Sequence, residues 1–106
     1  LDKVLKPRSI VWKNDSSARA IEGLGNDVRV VGMPVEGPVD VREGALRFAA
    51  DVIDGQKTGW FYDQRSNRDR LAPWLGGASV LDLFSFAGGW GLRAVADGAA
   101  SADCVD

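Results

Sequence analysis

A pair of glycines and an acidic residue near the end of the chain have the types and spacing of a nucleoside site. Gly88 and Gly89 follow an apolar run, and glycines permit positive φ and let a ligand approach the main chain closely. Asp106 follows Gly88 at close to the separation of about 20 residues at which an acidic side chain accepts hydrogen bonds from a ribose. The spacing therefore predicts a site for a nucleoside-containing cofactor.

Three predicted elements would position these residues. Residues 79–84 are an apolar run typical of a buried strand, residues 90–97 favour a helix, and residues 99–105 favour a second strand. This order is the start of a parallel βαβ unit, whose helix points its first N–H groups at the glycine turn. The glycines do not form G-x-G-x-x-G, so a tight structural turn without a ligand is the alternative.

Gln64 and Arg65 mark a second candidate site, at the predicted start of a helix over residues 64–75 with Asp63 as its N-cap. Cations in the first turn of a helix oppose its macrodipole. A bound carboxylate or phosphate, held by Arg65 and the free N–H groups, would compensate them. Salt bridges to Asp63 and Asp69 are the alternative explanation of these cations.

The first half of the chain predicts a small α+β arrangement. Residues 46–53 alternate apolar and polar side chains, Asp54-Gly55 is a hairpin-turn signal, and residues 56–62 would form the return strand. The other predicted elements are a helix at 1–5, a strand at 9–12, a short helix ending at Ile21, and strands at 27–31 and 39–43. Residues 27–62 therefore indicate an antiparallel, hairpin-rich sheet.

Basic side chains surround Trp12 near the start of the chain. They are Lys3, Lys6, Arg8 and Lys13. One interpretation is a solvated face of ordinary composition. The other is a local RNA-facing patch in which Trp12 stacks on a base.

Composition limits the classes of function. The chain has 106 residues, of which 45% are hydrophobic and 26% charged, as in ordinary globular proteins. Its net charge of −2 provides no global basic field for nucleic acid. The single cysteine rules out an internal disulfide and fits a reducing compartment. The chain has no histidine, the commonest zinc ligand, so we predict no metal site. No apolar run approaches the ~20 residues of a membrane span, so no membrane partner is expected.

Two motifs resemble a known family. The segment Gly55-Gln-Lys-Thr-Gly-Trp-Phe-Tyr-Asp-Gln-Arg-Ser-Asn-Arg68 is followed by Val80-Leu-Asp-Leu-Phe-Ser-Phe-Ala-Gly-Gly89. Together they resemble the RlmI-like, S-adenosylmethionine-dependent rRNA methyltransferases, which include the large-subunit rRNA cytosine-5 methyltransferases. Residues 14–19 and 22–24 are similar to the middle domain of the same family. The resemblance covers essentially the whole chain.

The resemblance implies an α/β fold in two parts. Residues 1–62 would be a small α+β middle domain on the RNA side, with an antiparallel hairpin. Residues 63–106 would be the first βαβ of a Rossmann-like domain that binds S-adenosylmethionine, here incomplete. The implied cofactor-binding residues are Asp82, Phe84, Ser85, Gly88, Gly89, Asp106, Gln64 and Arg65.

Each of these residues has an implied role. The loop over residues 82–89 matches the motif that wraps the methionine part of the cofactor, and Asp106 matches the acid that holds the ribose hydroxyls. The helix start at Gln64 and Arg65 is expected near the cofactor's amino-acid end. Trp60 and Tyr62 replace the Phe and Leu of many relatives, which preserves size and flatness.

The family's catalytic cysteine and proline-rich loop have no match in this chain. Cys104 lies in a predicted strand and is expected to be a small buried hydrophobe. No catalytic residue is therefore predicted here, and the nucleophile is expected downstream. We expect the chain to be the upstream part of a cytoplasmic RNA methyltransferase that methylates C5 of a pyrimidine in large-subunit rRNA, and we expect this chain to be inactive by itself.

Two rival functions follow from the same residues. A non-catalytic RNA-binding module would keep the fold but lack the proline-rich loop and the later cysteine. A nicotinamide- or flavin-dependent oxidoreductase would need a fuller G-x-G-x-x-G than Gly88-Gly89-Trp90-Gly91 provides.

Overall fold

The computed structural model of the chain describes residues 2–56 and 58–106 and has the predicted mixed α/β architecture. It divides into two compact units. The first contains the chain up to Val39 together with Asp51–Gly59, and the second contains Asp40–Ala50 and Trp60–Asp106. The boundary near residue 62 between two functional domains stays a prediction.

The first unit contains two short helices and an antiparallel strand pair. These elements are α1 (Asp2–Leu5), β1 (Ser9–Asn14), α2 (Ser17–Ile21) and β2 (Asp27–Gly32). The register runs from Ser9 opposite Gly32 to Asn14 opposite Asp27. Gly32 has φ +105°, and a Cβ there would lie 2.3 Å from the carbonyl oxygen of Arg8, so only glycine allows the strands to approach at this end.

The second unit begins with a hairpin that supplies its core. Strands β3 (Val39–Glu43) and β4 (Leu46–Ala50) pair around a tight turn in which Gly44 has φ +59°. Alternate side chains point inward because successive residues of a strand face opposite sides. The buried cluster is formed by Val41, Phe48, Ala50 and Trp60, with Leu46 and Ala87 packed against it.

The unit ends in the predicted βαβ arrangement. Strand β5 (Ser79–Leu83), helix α4 (Gly89–Ala96) and strand β6 (Ser101–Val105) follow helix α3 (Arg65–Leu71). Strands β5 and β6 are parallel, with Ser79 opposite Ser101 and Leu83 opposite Val105. A Cβ on Gly91 would lie 2.4 Å from Sγ of Cys104, so the absent side chain allows α4 to pack closely on β6.

The predicted return strand over residues 56–62 is wrong for the residues that the structure describes, and Lys57 lies outside them. Residues 52–56 form bends, and a 3-10 helix begins at Tyr62. Oδ1 of Asp51 accepts hydrogen bonds from the N–H groups of Ile53 and Asp54, at 3.0 and 2.8 Å. This local turn competes with continued strand pairing, so the hairpin forms earlier, around Gly44.

The predicted helix over residues 64–75 is also divided. Tyr62–Gln64 is a 3-10 helix, α3 ends at Leu71, and Ala72–Trp74 is a second 3-10 helix. Pro73 has no N–H to donate to a continuing α-helix, which explains the change. Asp63 is not the N-cap, because α3 begins after Gln64 and no side chain caps it.

Two expectations about burial are corrected. In β5 only Asp82 is buried, while Leu81 and Leu83 are 63% and 57% exposed, because they lie on the face opposite α4. Cys104 is exposed rather than buried, although its paired residue on β5, Asp82, is buried.

We predict that the tight contact between α4 and β6 makes the effects of two substitutions non-additive. Gly91→Ala should lower the free energy of unfolding by about 1–3 kcal/mol through overpacking against Cys104. In a Cys104→Ala background the same change should be neutral or stabilising, because alanine favours helix by about 1 kcal/mol over glycine. Urea denaturation of the four variants measures this coupling. Equal effects of Gly91→Ala in both backgrounds would contradict the contact.

Candidate functional site

The loop between β5 and α4 has an unusual backbone. Phe84, Phe86 and Gly88 have φ of +58°, +51° and +68°. Two of these left-handed residues carry large side chains, which seldom adopt this conformation. The surrounding hydrogen bonds hold it: the Ser85 N–H donates to the carbonyl of Val105 at 3.1 Å, and the Gly88 N–H donates to that of Ser85 at 2.8 Å. The loop is therefore anchored to the carboxyl end of β6.

Asp106 contacts the same loop. Its Oδ1 accepts a hydrogen bond from the Phe86 N–H at 3.0 Å. Both groups lie beyond the carboxyl ends of parallel strands, where open α/β sheets bind their ligands. The structure thus brings together the loop and the acid that the sequence separates by about 20 residues.

Asp82 has a different environment from Asp106. It is buried, and its Oδ2 accepts a hydrogen bond from the Gly91 N–H at 3.0 Å. This N–H belongs to the first turn of α4 and has no carbonyl partner within the helix. Asp82 therefore fixes the start of α4 on β5, and it does not line the neighbouring cavity.

A cavity of about 250 Å³ opens beside the loop. Its aromatic lining comes from Trp60, Phe61, Phe84, Phe86 and Trp90, and its polar lining includes Gln64, Arg68 and Ser85. Of the predicted site residues, the cavity is lined by Gln64, Phe84, Ser85 and Gly89. Gly88, Asp106 and Arg65 lie outside this lining. The arrangement offers flat apolar surfaces together with a few polar groups.

Sequence reasoning missed the buried ion pair beneath this cavity. Arg68 and Glu43 are 3% and 2% exposed. Arg68 donates from Nε to Oε2 of Glu43 at 2.9 Å and from Nη2 to Oε1, while Trp60 donates from Nε1 to Oε1 at 3.0 Å. The one available signal was Glu43 itself, an acid at an inward position of a strand whose other inward residue, Val41, is apolar.

Aromatic rings surround the guanidinium of Arg68. Its Cζ lies 5.2 Å from the ring centroid of Trp60 and 5.7 Å from that of Trp90. A Cβ on Gly89 would lie 3.1 Å from the Trp60 ring, so the first residue of α4 packs directly on this indole. The ion pair thereby positions one aromatic wall of the cavity against the glycine turn.

The groups around Glu43 lower the pKa of its carboxyl group. Burial pushes the pKa of Glu43 upward, but the hydrogen bonds from Arg68 and Trp60 and the charges of Arg68 and Arg65 outweigh it, so the pKa lies below its ordinary value. A buried carboxylate is tolerated only with such partners. Arg65 is exposed and is among the charges that act on Glu43.

A second ion-pair cluster joins α3 to α4. Arg93 contacts Asp69 at 2.7 Å and Asp97 at 2.7 Å. Burial lowers the pKa of Arg93, but these two carboxylates raise it further, so the guanidinium stays charged. Asp69, a proposed partner of the cations that begin α3, is therefore paired with Arg93 of the next helix. Asp63 accepts a hydrogen bond from Nε2 of Gln64 at 3.2 Å.

The residues present fit a nucleoside cofactor with an amino-acid end. Asp106 offers a carboxylate at the edge of the parallel strands, and the cavity offers aromatic faces for a flat ring. Within the described residues, no group of three metal-ligating side chains converges, and no helix is long and apolar enough to cross a membrane. The class defined here is a nucleoside-binding α/β protein.

The comparison with protein families identifies the class more narrowly. Residues 24–106 match the family model described as S-adenosylmethionine-dependent methyltransferase. The chain belongs to this family.

Named relatives agree with this assignment. The chain is 41% identical over 103 residues to ribosomal RNA large subunit methyltransferase I of Shewanella frigidimarina, covering 92% of the chain and 25% of the relative. It is 40% identical over 94 residues to a ribosomal RNA large subunit methyltransferase of Deinococcus radiodurans, covering 89% and 23%. The chain thus spans about a quarter of the length of these curated relatives.

Solved structures share the fold. A structure described as a SAM-dependent methyltransferase from Streptococcus mutans superimposes with a TM-score of 0.64 and is 30% identical, covering 72% of this chain and 20% of its own. A second methyltransferase structure with the same TM-score, identity and coverage is complexed with SAH. The predicted family, fold class and cofactor type are therefore confirmed.

We predict that the buried ion pair is a main source of stability. Arg68→Met should lower the free energy of unfolding by about 3–5 kcal/mol, because it leaves Glu43 buried without its cation. The matched control is Arg47→Met, which breaks an exposed pair with Asp40 on the same hairpin and should cost about 0–1 kcal/mol. Chemical denaturation measures both. Similar losses of unfolding free energy in Arg68→Met and Arg47→Met would show that burial of the Arg68–Glu43 pair adds nothing to its effect on stability.

The lowered pKa of Glu43 also predicts a pH dependence. Its folded-state pKa lies below the ordinary value of 4.5, so its stabilising contribution is complete above about pH 4.5 and is lost as the pH falls toward the folded-state pKa. Thermal unfolding measured between about pH 3 and 7 should therefore show a steeper acid loss for the wild type than for Glu43→Gln. Parallel curves would show that Glu43 does not contribute to the acid transition.

Proposed function

We propose that the chain provides the cofactor cradle of an enzyme that methylates large-subunit rRNA, using S-adenosylmethionine as methyl donor. The observation that carries the proposal is the contact between Asp106 and the Phe86 N–H, which joins an acidic strand end to a left-handed glycine loop. Its support in the comparisons is the family match over residues 24–106 and the names of the relatives.

Particular residues would hold the cofactor. Asp106 would accept hydrogen bonds from the ribose hydroxyls, and the loop over residues 84–89 would enclose the methionine part. Gln64 lines the cavity and would contact the amino-acid end together with Arg65 at the start of α3. Asp82 would act indirectly, by holding α4 in place through Gly91.

The cofactor supplies an electrophilic methyl group on a sulfonium. The chain's own residues would orient it and exclude water, since five aromatic side chains line the cavity.

We further propose C5 of a pyrimidine as the methylated atom. Activation of C5 requires a thiolate that adds to C6 of the base. Cys104 lies in β6, and its Sγ faces Gly91 of α4 at a point where helix and strand pack closely. The nucleophile is therefore expected outside residues 1–106, and this chain by itself should be inactive. A lone cysteine and an rRNA substrate fit a cytoplasmic protein.

The proposal is tested by calorimetric titration of S-adenosylmethionine into the full-length protein that carries this chain. Asp106→Asn should weaken binding by about tenfold or more, which corresponds to about 1.4 kcal/mol, because it removes a charge-assisted acceptor. The matched control is Asp103→Asn, which makes the same change at an exposed position of β6. Equal affinities of both variants and the wild type would contradict the role of Asp106.

The same titration distinguishes a methyltransferase from a non-catalytic RNA-binding module. A non-catalytic RNA-binding module would retain RNA binding without measurable affinity for S-adenosylmethionine. If the wild-type protein binds no cofactor, the methyltransferase proposal fails, and the glycine loop has a structural role.

A further inference from the structure

One face of the strand pair β1–β2 combines an exposed indole with cations. Trp12 lies directly opposite Arg29, and Ile10 lies opposite Val31. Opposed residues of an antiparallel pair share a face, so these four side chains form one surface. Trp12 is 46% exposed, Val31 is 51% exposed and the Arg29 side chain is 61% exposed.

This surface is concave. It forms the floor of a groove of about 520 Å³, which Pro7, Arg8 and Gly32 complete. The opposite face of the same pair differs, because Ser9, Val11 and Lys13 line a separate cavity with residues of the same unit. The groove therefore belongs to only one of the two faces of the strand pair.

The charges favour an anionic partner. The Cζ of Arg29 lies 5.3 Å from the centroid of the Trp12 ring, and Arg8 stands at the edge of the groove. Asp27 approaches Nε of Arg29 at 3.7 Å, but both side chains are more than half exposed, so this contact is weak. A flat aromatic ring with guanidinium groups beside it matches a base with its flanking phosphates.

We propose that this groove binds single-stranded RNA. A base stacks on the indole of Trp12, and Arg8 and Arg29 contact the adjacent phosphates. The β1–β2 register supports this, because it brings a ring from one strand and a cation from the other onto the same face of the strand pair. The proposal rests on the proposed function in taking RNA as the substrate class, and it locates one contact with that substrate.

Fluorescence anisotropy of a labelled single-stranded RNA of about 10 nucleotides, titrated with the full-length protein, tests the stacking contact. Trp12→Ala should weaken binding by about 5- to 150-fold, the range measured when a stacking ring is removed, and Trp12→Phe should retain most of the affinity. The matched control is Trp74→Ala, which removes an indole that is 80% exposed elsewhere in the chain and should leave affinity unchanged.

Salt dependence tests the phosphate contacts separately. Arg29→Gln should weaken binding and reduce the slope of log affinity against log salt concentration by about 0.7, the value for one phosphate contact on a single strand. Arg47→Gln, an exposed arginine on another hairpin, is the control and should keep the wild-type slope.

Two results of the RNA titrations would contradict RNA binding in this groove. The proposal is overturned if Trp12→Ala binds RNA like the wild type, or if Trp12→Phe loses as much affinity as Trp12→Ala. Calorimetry with S-adenosylmethionine on the same variants keeps the two proposals apart, since cofactor affinity should be unchanged by all of them. If the wild-type protein binds no S-adenosylmethionine but binds RNA in a way that depends on Trp12, only the proposed function is refuted.

Discussion

The buried pair between Glu43 and Arg68 is the constraint on which the second unit depends. A carboxylate and a guanidinium removed from water are tolerated only when each satisfies the other, and here both carboxylate oxygens are used. The pair joins the β3–β4 hairpin to α3, and the hydrogen bond from Trp60 attaches the indole to the same carboxylate. Since Gly89 packs on that indole, the position of α4 depends on a charge pair that originates in the hairpin.

A few hydrogen bonds from main-chain N–H groups hold the glycine loop and the start of α4 in place. Its left-handed residues place main-chain N–H groups toward the strand ends, where Asp106 and the carbonyl of Val105 accept two of them. Asp82 accepts a third N–H, from the first turn of α4. Two aspartates therefore have separate tasks: the buried one holds the helix, and the exposed one stands at the edge where a ligand would bind.

The chain uses the contact between arginine and tryptophan in two environments. Arg68 lies over Trp60 and Trp90 with its charge neutralised by a buried carboxylate, so the contact stabilises the fold. Arg29 lies over Trp12 in a groove where ring and cation remain exposed. The same chemistry therefore provides packing where water is excluded and a binding surface where it is not.

The sequence by itself determined the periodic elements and the spacing of the site. Strand, glycine turn, helix and strand were predictable because local patterns specify β5, α4 and β6, and the acid at the end of β6 must meet the loop once the strands are parallel. The tertiary structure decided the rest. Local signals predicted a return strand after Gly55, but the Asp51 carboxylate turns the chain there instead. No local pattern could pair Glu43 with Arg68, which are far apart in sequence, because only packing excludes water from both.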